Sequence, residues 1–406
     1  MSEIKGMHYL KNKLELKRQR VLKRYSYYEM KNVVEDFGIS TPPDIRYFMG
    51  ALGWCAKAVD TLADRLVFRE FTNDIHEINE IYRNNNQDIL FDAAMTGALI
   101  SSCDFIYISI DKDGYPRLQA IDGGNATGVL DPITYLLKEG YAVLERDTNG
   151  FAVKEAYLTP DRVQIYEGNK LVQDMKNPAG YTLLVPVIYR PDNVRPFGHS
   201  RISRACMSIV ESAVRTVKRS EIAAEFFSYP QKYVTGLSND AERMDKWRAT
   251  MSSMLAFTKD DEGDHPVVGQ FQQQSMTPHA EQLRMFAALF AGETGLTLDD
   301  LGFVTDNPSS SEAIKASHET LRLIARKAQR DFGVGFLNAG FVAACVRDKR
   351  SYTRDLLVDT RARWMPLFEP DAAALSGLGD GFLKINQALP GFLDEEVMEN
   401  LTGIIK

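Results

Sequence analysis

The feature that most limits how this chain can fold is a long one-sided helical stretch, residues 199–227, followed by an irregular polar module and a second helical stretch. In the first stretch Ile202, Cys206, Ile209, Val210, Ala213 and Val217 recur at helical spacing on one face. The other face holds Arg201, Arg204, Arg215, Lys218 and Arg219. Ser228-Tyr229-Pro230 ends the stretch and Gln231–Thr235 has strand composition. Residues 238–278 are polar and mixed, with a helical stretch near 241–254 and the acidic turn Asp260-Asp261-Glu262-Gly263-Asp264. Thr277 is placed to cap the returning helix, with Pro278 at its first position, where a missing N–H costs nothing. Gly292 and Gly295 stop it near 291. Two helices that leave and return around a small insert make a stalk with a tip. A stalk has little interior, so its apolar stripe is buried against the stalks of neighbouring copies or against the chain's own globular part.

The rest of the chain mixes helices and strands. Residues 1–24 hold Lys5, Lys11, Lys13, Lys17, Arg18, Arg20, Lys23 and Arg24 against Glu3 and Glu15. Leu10, Leu14 and Val21, with Leu22, give this segment an amphipathic stripe. Its basic face is either solvated or set against an acidic partner or phosphate. After a turn at Gly38-Ile39-Ser40-Thr41-Pro42-Pro43, helical spacing returns over 44–66, 74–84 and 87–102. Strand composition follows at 104–110, with a hairpin turn at Asp111-Lys112-Asp113-Gly114. Further strands are expected at 116–121, 140–146, 152–157, 162–167 and 183–189. Residues 1–195 thus predict one α+β domain. Downstream, Ser309-Ser310-Ser311-Glu312 has capping-box spacing and opens a helix expected over 310–332. A separate apolar helix is expected over 336–346, a strand and turns over 350–370, and two short helices divided by Pro390-Gly391 over 371–406.

Composition excludes several classes. Among 406 residues, 48 Lys and Arg face 55 Asp and Glu, a formal charge of −7, which argues against a strongly basic, sequence-specific DNA binder. Cys55, Cys103, Cys206 and Cys345 are far apart and set among apolar or small residues, so reduced core thiols are expected. No apolar run follows Met1 and none is long enough to span a membrane, so neither a signal peptide nor a membrane partner is expected. The chain lacks G-x-x-x-x-G-K-[ST], G-x-S-x-G and G-x-G-x-x-G. His76-Glu77 and His318-Glu319 begin like zinc motifs but lack the second histidine. Asp299, Asp300 and Glu293 are the material for an alternative reading, an oligomeric cytosolic α+β enzyme whose acids converge in a cleft. No catalytic residue, metal ligand or cofactor is expected.

Several segments carry a resemblance. They are Tyr28-Glu29-Met30, Leu52-Gly53-Trp54, the run from Asp60 to Leu66, Pro196-Phe197-Gly198-His199-Ser200-Arg201-Ile202-Ser203, Phe226-Phe227-Ser228-Tyr229-Pro230-Gln231-Lys232-Tyr233, Phe290-Ala291-Gly292-Glu293-Thr294-Gly295-Leu296, and Asp306-Asn307-Pro308-Ser309-Ser310-Ser311-Glu312-Ala313-Ile314. In this order and spacing they resemble the portal proteins of tailed bacteriophages, of the Bacillus phage type. The resemblance implies a ring, dodecameric in virions of that family, at one capsid vertex, through which double-stranded DNA is packed and later ejected. It implies an α+β portal fold with an α/β wing, a helical stem, a small α/β clip and a short helical crown. The parts fall at 1–24 (basic N-terminal segment), 25–198 (wing), 199–227 and 278–294 (stem helices), 228–277 (clip), 295–310 (tunnel loop), 311–350 (long wing helix) and 351–406 (crown).

Implied partners are further copies of the chain, the duplex held non-specifically, the terminase large subunit, the major capsid protein, the head–tail connector and a scaffold protein. Assembly is implied in the host cytoplasm and residence in the virion. Terminase supplies ATP hydrolysis in that family, which accords with the missing phosphate loop. Residues implied to face DNA are Thr305, Asp306, Asn307, Ser309 and Ser310 in the tunnel loop, then Lys315 and Arg322 on the following helix. Each also has a local reading, as turn former, helix cap or solvated face. A duplex carries one negative charge per roughly 1.7 Å of axis. A wall dense in cations holds it, while a polar or acidic wall lets it slide.

Overall fold

The computed structural model describes residues 4–35, 50–228, 232–235, 267–270, 275–303, 315–367 and 372–402. The chain divides into two compact units, one of residues 1–32, 53–207 and 292–406, the other of 33–52 and 208–291.

The larger unit opens with α1 (Met7–Tyr28), which buries Leu10, Leu14, Val21 and Tyr27 along one stripe. Leu22, expected in that stripe, is exposed. Next come α2 (Trp54–Ala63), β1 (Phe68–Thr72), α3 (Ile78–Arg83) and α4 (Gln87–Ser101). From Ala94 to Ser101, α4 has almost no polar side chain, and it is correspondingly buried. It runs straight into β2 (Cys103–Ile110), as expected. β2 pairs antiparallel with β3 (Pro116–Ile121). The hairpin between them is fixed by Asp111, whose Oδ1 accepts the N–H groups of Asp113 (3.0 Å) and Tyr115 (2.7 Å), with Gly114 at φ 85°. A five-stranded antiparallel meander follows, of β4 (Ala126–Leu130), β5 (Leu137–Arg146), β6 (Ala152–Leu158), β7 (Arg162–Glu167) and β8 (Lys170–Lys176). β9 (Leu184–Ile188) then returns to the other edge of β2.

The smaller unit contains most of α5 (Arg204–Ser228), the antiparallel pair β10 (Lys232–Thr235) and β11 (Val267–Gln270), and most of α6 (Thr277–Thr294). α5 begins at Arg204, not at 199. Residues 199–203 instead tie the chain down. Ser200 Oγ donates to the Ile100 carbonyl (2.6 Å) and Arg201 Nε to the Ala58 carbonyl (3.0 Å). Ser203 Oγ accepts the Cys206 N–H (3.1 Å), a cap that serves only where a helix starts. At α6 the cap lies earlier than expected, because Ser275 Oγ accepts the Thr277 N–H (3.2 Å). The helix expected near 241–254 lies outside the described residues.

The larger unit resumes with α7 (Glu319–Arg347), a single helix of 29 residues. It corrects the expectation of two helices broken near Gly333 and Gly335. These glycines are contact positions. A Cβ on Gly335 would stand 3.2 Å from the backbone of Pro186 and Val187 in β9, and one on Gly333 3.0 Å from Ala362. β12 (Arg361–Trp364) pairs with β1 as a two-stranded ribbon. Phe68, Phe91, Phe336 and Trp364 cluster against that ribbon, and Tyr82 donates to the Phe336 carbonyl at 2.6 Å. The chain closes with α8 (Ala372–Ala388) and α9 (Glu395–Thr402), two helices separated around Pro390-Gly391 as expected. Among the described residues no helix is long and apolar enough to cross a membrane. All four cysteines are buried and none is in a disulfide.

Candidate functional site

The residues expected to face DNA divide sharply. Thr305, Asp306, Asn307, Ser309 and Ser310 lie outside the described residues, as does the capping box Ser309-Ser310-Ser311-Glu312. Lys315 is exposed. Arg322, near the start of α7, donates through Nε and Nη2 to both carboxylate oxygens of Glu319, each at 2.6 Å. This pair raises the guanidinium pKa and lowers that of the carboxyl, because each stabilises the charge of the other. Arg322 therefore offers a passing phosphate a neutralised pair and not a bare cation. Arg201, just before α5, and Lys218, on α5, are buried within a single chain. Thr216 Oγ1 meets Gln282 Oε1 at 3.0 Å, joining α5 to α6. Met285 and Leu289, one helical turn apart on α6, are both about half exposed.

The basic N-terminal helix is packed by one stripe and leaves Arg20 and Lys23 exposed, as the solvated reading expects, but turns other cations inward. Lys11 pairs with Glu155 at 2.7 Å, Lys13 donates to the Gly128 carbonyl at 2.6 Å, and Arg24 donates to the Ser101 carbonyl at 3.1 Å. Lys17 stands over the Phe105 ring, 5.0 Å from its centre. Much of the charge counted in the sequence is thus turned onto the chain's own sheets. Beneath Lys17 lies an acidic pair that sequence reasoning missed, Asp104 on β2 and Asp122 after β3. Asp104 is 2% exposed, and its Oδ1 and the Oδ1 of Asp122 are buried without hydrogen-bond partners. Burial first, and then the Asp122 charge, push the Asp104 carboxyl well above the usual carboxylate range. Burial pulls Lys17 down, takes Lys13 down to about 8, and pushes the Cys103 thiol up to about 12. Tyr25 hydrogen bonds to Asp122 and is raised, chiefly by burial. The available signal was an acid inside the otherwise apolar run Cys103-Asp104-Phe105-Ile106.

The acids of the enzyme reading do not converge. Asp300 Oδ2 accepts from the backbone N–H and hydroxyl of Thr297, both at 2.9 Å, and so closes its own turn. Glu293 accepts from Ser203 at 2.8 Å. Asp299 is exposed. Among the described residues no three His, Cys, Asp or Glu side chains are placed to hold a metal ion.

No family model matches the chain. By sequence it is 26% identical to the portal protein of Mycobacterium phage D29 over 341 residues, 78% of this chain and 69% of that protein. It is 24% identical to the portal protein of Mycobacterium phage L5 over 333 residues, 76% of this chain and 67% of that protein. The chain is similar to phage portal proteins over most of its length. The narrower likeness to Bacillus phage portals rests on the segments quoted above alone. Two solved structures also align, each over 87% of this chain and 90% of the other. They are the neck of a native gene transfer agent particle computed with C12 symmetry (14% identity, TM-score 0.47) and the neck of an empty particle computed with C6 symmetry (13%, 0.48).

Proposed function

We propose that this chain is the subunit of a phage portal, a ring at one capsid vertex that conducts double-stranded DNA and has no catalysis of its own. The observation that carries the reading is the alignment with two mycobacteriophage portal proteins over 76% and 78% of the chain. Three structural features support it. α5 and α6 leave and return around a polar insert, and α6 keeps Met285 and Leu289 uncovered in the single chain. The net charge is −7, which suits a wall that must not hold a duplex. Arg322, on the helix after the expected tunnel loop, is already neutralised by Glu319.

In this reading α5 and α6 are the stem, the β10–β11 pair is the described part of the clip, α7 is the long wing helix, and α8 with α9 is the crown. The clip docks the terminase large subunit during packaging and the head–tail connector afterwards. Thr305, Asp306, Asn307, Ser309 and Ser310 line the narrowest part of the channel, and the major capsid protein and a scaffold protein surround the ring during assembly. Electron microscopy of the purified protein in negative stain, with its mass from light scattering, tests the reading. Dodecameric rings with a hole of duplex width are expected. A compact monomer at every concentration, with and without the scaffold protein, overturns it.

A further inference from the structure

The β1–β12 ribbon separates two unlike surfaces of the larger unit. On one side it packs on α7, with Ala362 against Gly333 and Trp364 edge-on to Phe68. Beside that contact runs an open groove of about 700 Å³ between α7 and β12. Its floor is apolar, with Leu323 (55% exposed), Val334 and Trp364; its rim carries Arg326, Arg330 and Arg361, all exposed. Among the described residues no Asp or Glu lines it. Gln329 also lines it, and its Nε2 is buried without an acceptor. A half-buried Trp with exposed Arg around an apolar floor is what protein interfaces concentrate.

The ribbon's other side holds the opposite surface. Side chains alternate along a strand, so Arg363 points away from Ala362 and Trp364. It reaches Glu70 at 3.1 Å and Glu399 at 3.8 Å, and Arg69 reaches Glu399 at 3.5 Å. These contacts hold α9 on the face opposite the groove. Asn386 on α8 bonds the Leu393 backbone in both directions, at 2.9 and 3.0 Å, which fixes α8 to α9. Among the described side chains of residues 372–402, Asp380, Asp394 and Glu395 are exposed against the single exposed base Lys384, an acidic surface, while Glu399 is engaged with the ribbon. They also leave Leu383 (63% exposed), Leu389 and Phe392 (67% exposed) bare.

We propose that the acidic, apolar α8–α9 surface of one copy docks into the basic, apolar α7–β12 groove of the next copy. Complementary charge pairs the two rims, and the bare leucines and Phe392 cover Leu323, Val334 and Trp364. Because the two surfaces lie on opposite faces of one ribbon, the contact is head to tail, the kind that closes into a ring when its rotation closes. Duplex DNA competes for the arginines, but its backbone contacts are made through phosphates and sugars and leave the apolar floor uncovered. The inference rests on the portal reading, which supplies the ring, and adds which surfaces meet.

The test is charge reversal on the full chain, with assembly followed by analytical ultracentrifugation. Arg326→Glu with Arg330→Glu, and separately Asp380→Lys with Glu395→Lys, are each expected to raise the concentration of half-assembly at least about tenfold. Combining all four is expected to recover assembly, which a misfolded variant cannot do. Rings that persist in both reversed variants overturn this interface and leave the portal reading standing. Loss in both without recovery in the combination also overturns it. If the groove variant keeps its rings but retains less duplex DNA at low salt, the groove is a nucleic-acid surface and the proposal is wrong. A wild-type chain that never assembles removes the portal reading and this interface together.

Discussion

Replacing Gly340 with alanine asks whether the glycines of α7 are helix breakers or contact positions. Propensity alone says the change stabilises by about 1 kcal/mol, since alanine is the best helix former and glycine one of the worst. The structure reverses the sign. A Cβ on Gly340 would stand 2.1 Å from Ile78 Cγ2 and 3.0 Å from Tyr82 Cε2. Both side chains are fully buried. Ile78 is β-branched and stiff at χ1, and Tyr82 is pinned by its bond to the Phe336 carbonyl. Carbon pairs settle at about 3.5–4.0 Å, so α3 has to retreat by more than roughly 1 Å. Overpacking costs about 1–3 kcal/mol, and an overlap this large belongs at the upper end. After subtracting the propensity gain, Gly340→Ala is expected to lose about 2 kcal/mol in urea denaturation followed by far-UV circular dichroism. Ile78→Ala empties the space the new methyl needs. The double variant is therefore expected to be no less stable than Ile78→Ala alone, a coupling of about 2 kcal/mol. Wild-type stability in Gly340→Ala, or strict additivity in the cycle, refutes the reasoning.

Three further outcomes follow from the same geometry. Burial raises the Asp104 pKa in the folded chain, so the stability it contributes is complete below the unfolded carboxylate value and is lost as pH rises through the folded one. Asp104→Asn does not titrate; it is expected to lose less stability than wild type as the pH rises above the unfolded carboxylate value, the difference growing by up to about 1.4 kcal/mol for each rise of one in pH. Equal pH slopes in urea titrations count against this. Arg201→Met leaves the Ala58 carbonyl without its donor and is expected to destabilise the fold by about 1–3 kcal/mol. The mass of the proposed ring, measured by light scattering, should match that of wild type, whereas a subunit-interface residue would change the mass and leave the fold as stable as wild type. Asp306→Lys places a belt of cations around the proposed constriction and is expected to slow DNA translocation in a packaging assay. Packaging at the wild-type rate takes Asp306 off the channel wall.

What could be read from the sequence depended on whether one physical signal dominated locally. Residues 116–121, 140–146, 152–157 and 162–167 were legible because runs of β-branched and aromatic residues bounded by Gly, Asn and Pro mark strands even where burial does not alternate, as in β5. β8 was not, because Lys-Leu-Val-Gln-Asp-Met-Lys lies at the sheet edge with almost every side chain exposed, so no burial imposes alternation. β4 was missed for its shortness and for Gly128, whose missing Cβ makes room for Leu137 and the Glu139 carbonyl. The start of α5 was misplaced because apolar periodicity continues through Ile202. The Ser203 cap and the buried Arg201 decide the boundary. The bond that holds Arg201 reaches a carbonyl far away in sequence, so spacing alone does not reveal it.

The same limit explains the candidate site. Counting charges in residues 1–24 registers their sign but not their direction. Lys11, Lys13, Lys17 and Arg24 turn inward because α1 lies on elements that offer Glu155, the Gly128 carbonyl, the Ser101 carbonyl at the end of α4 and the Asp104–Asp122 pair. None of those acceptors is a neighbour in sequence. Arg322 is the opposite case, since Glu319 is three residues away and the pairing is a local helix contact readable beforehand. A basic residue therefore became a DNA-contact candidate by position alone, when its nearest acid already accounted for it. The cations of the α7–β12 groove, Arg326, Arg330 and Arg361, come from two elements that only the fold brings to one place. For that reason the surface on which the proposed ring contact turns was invisible to motif and spacing.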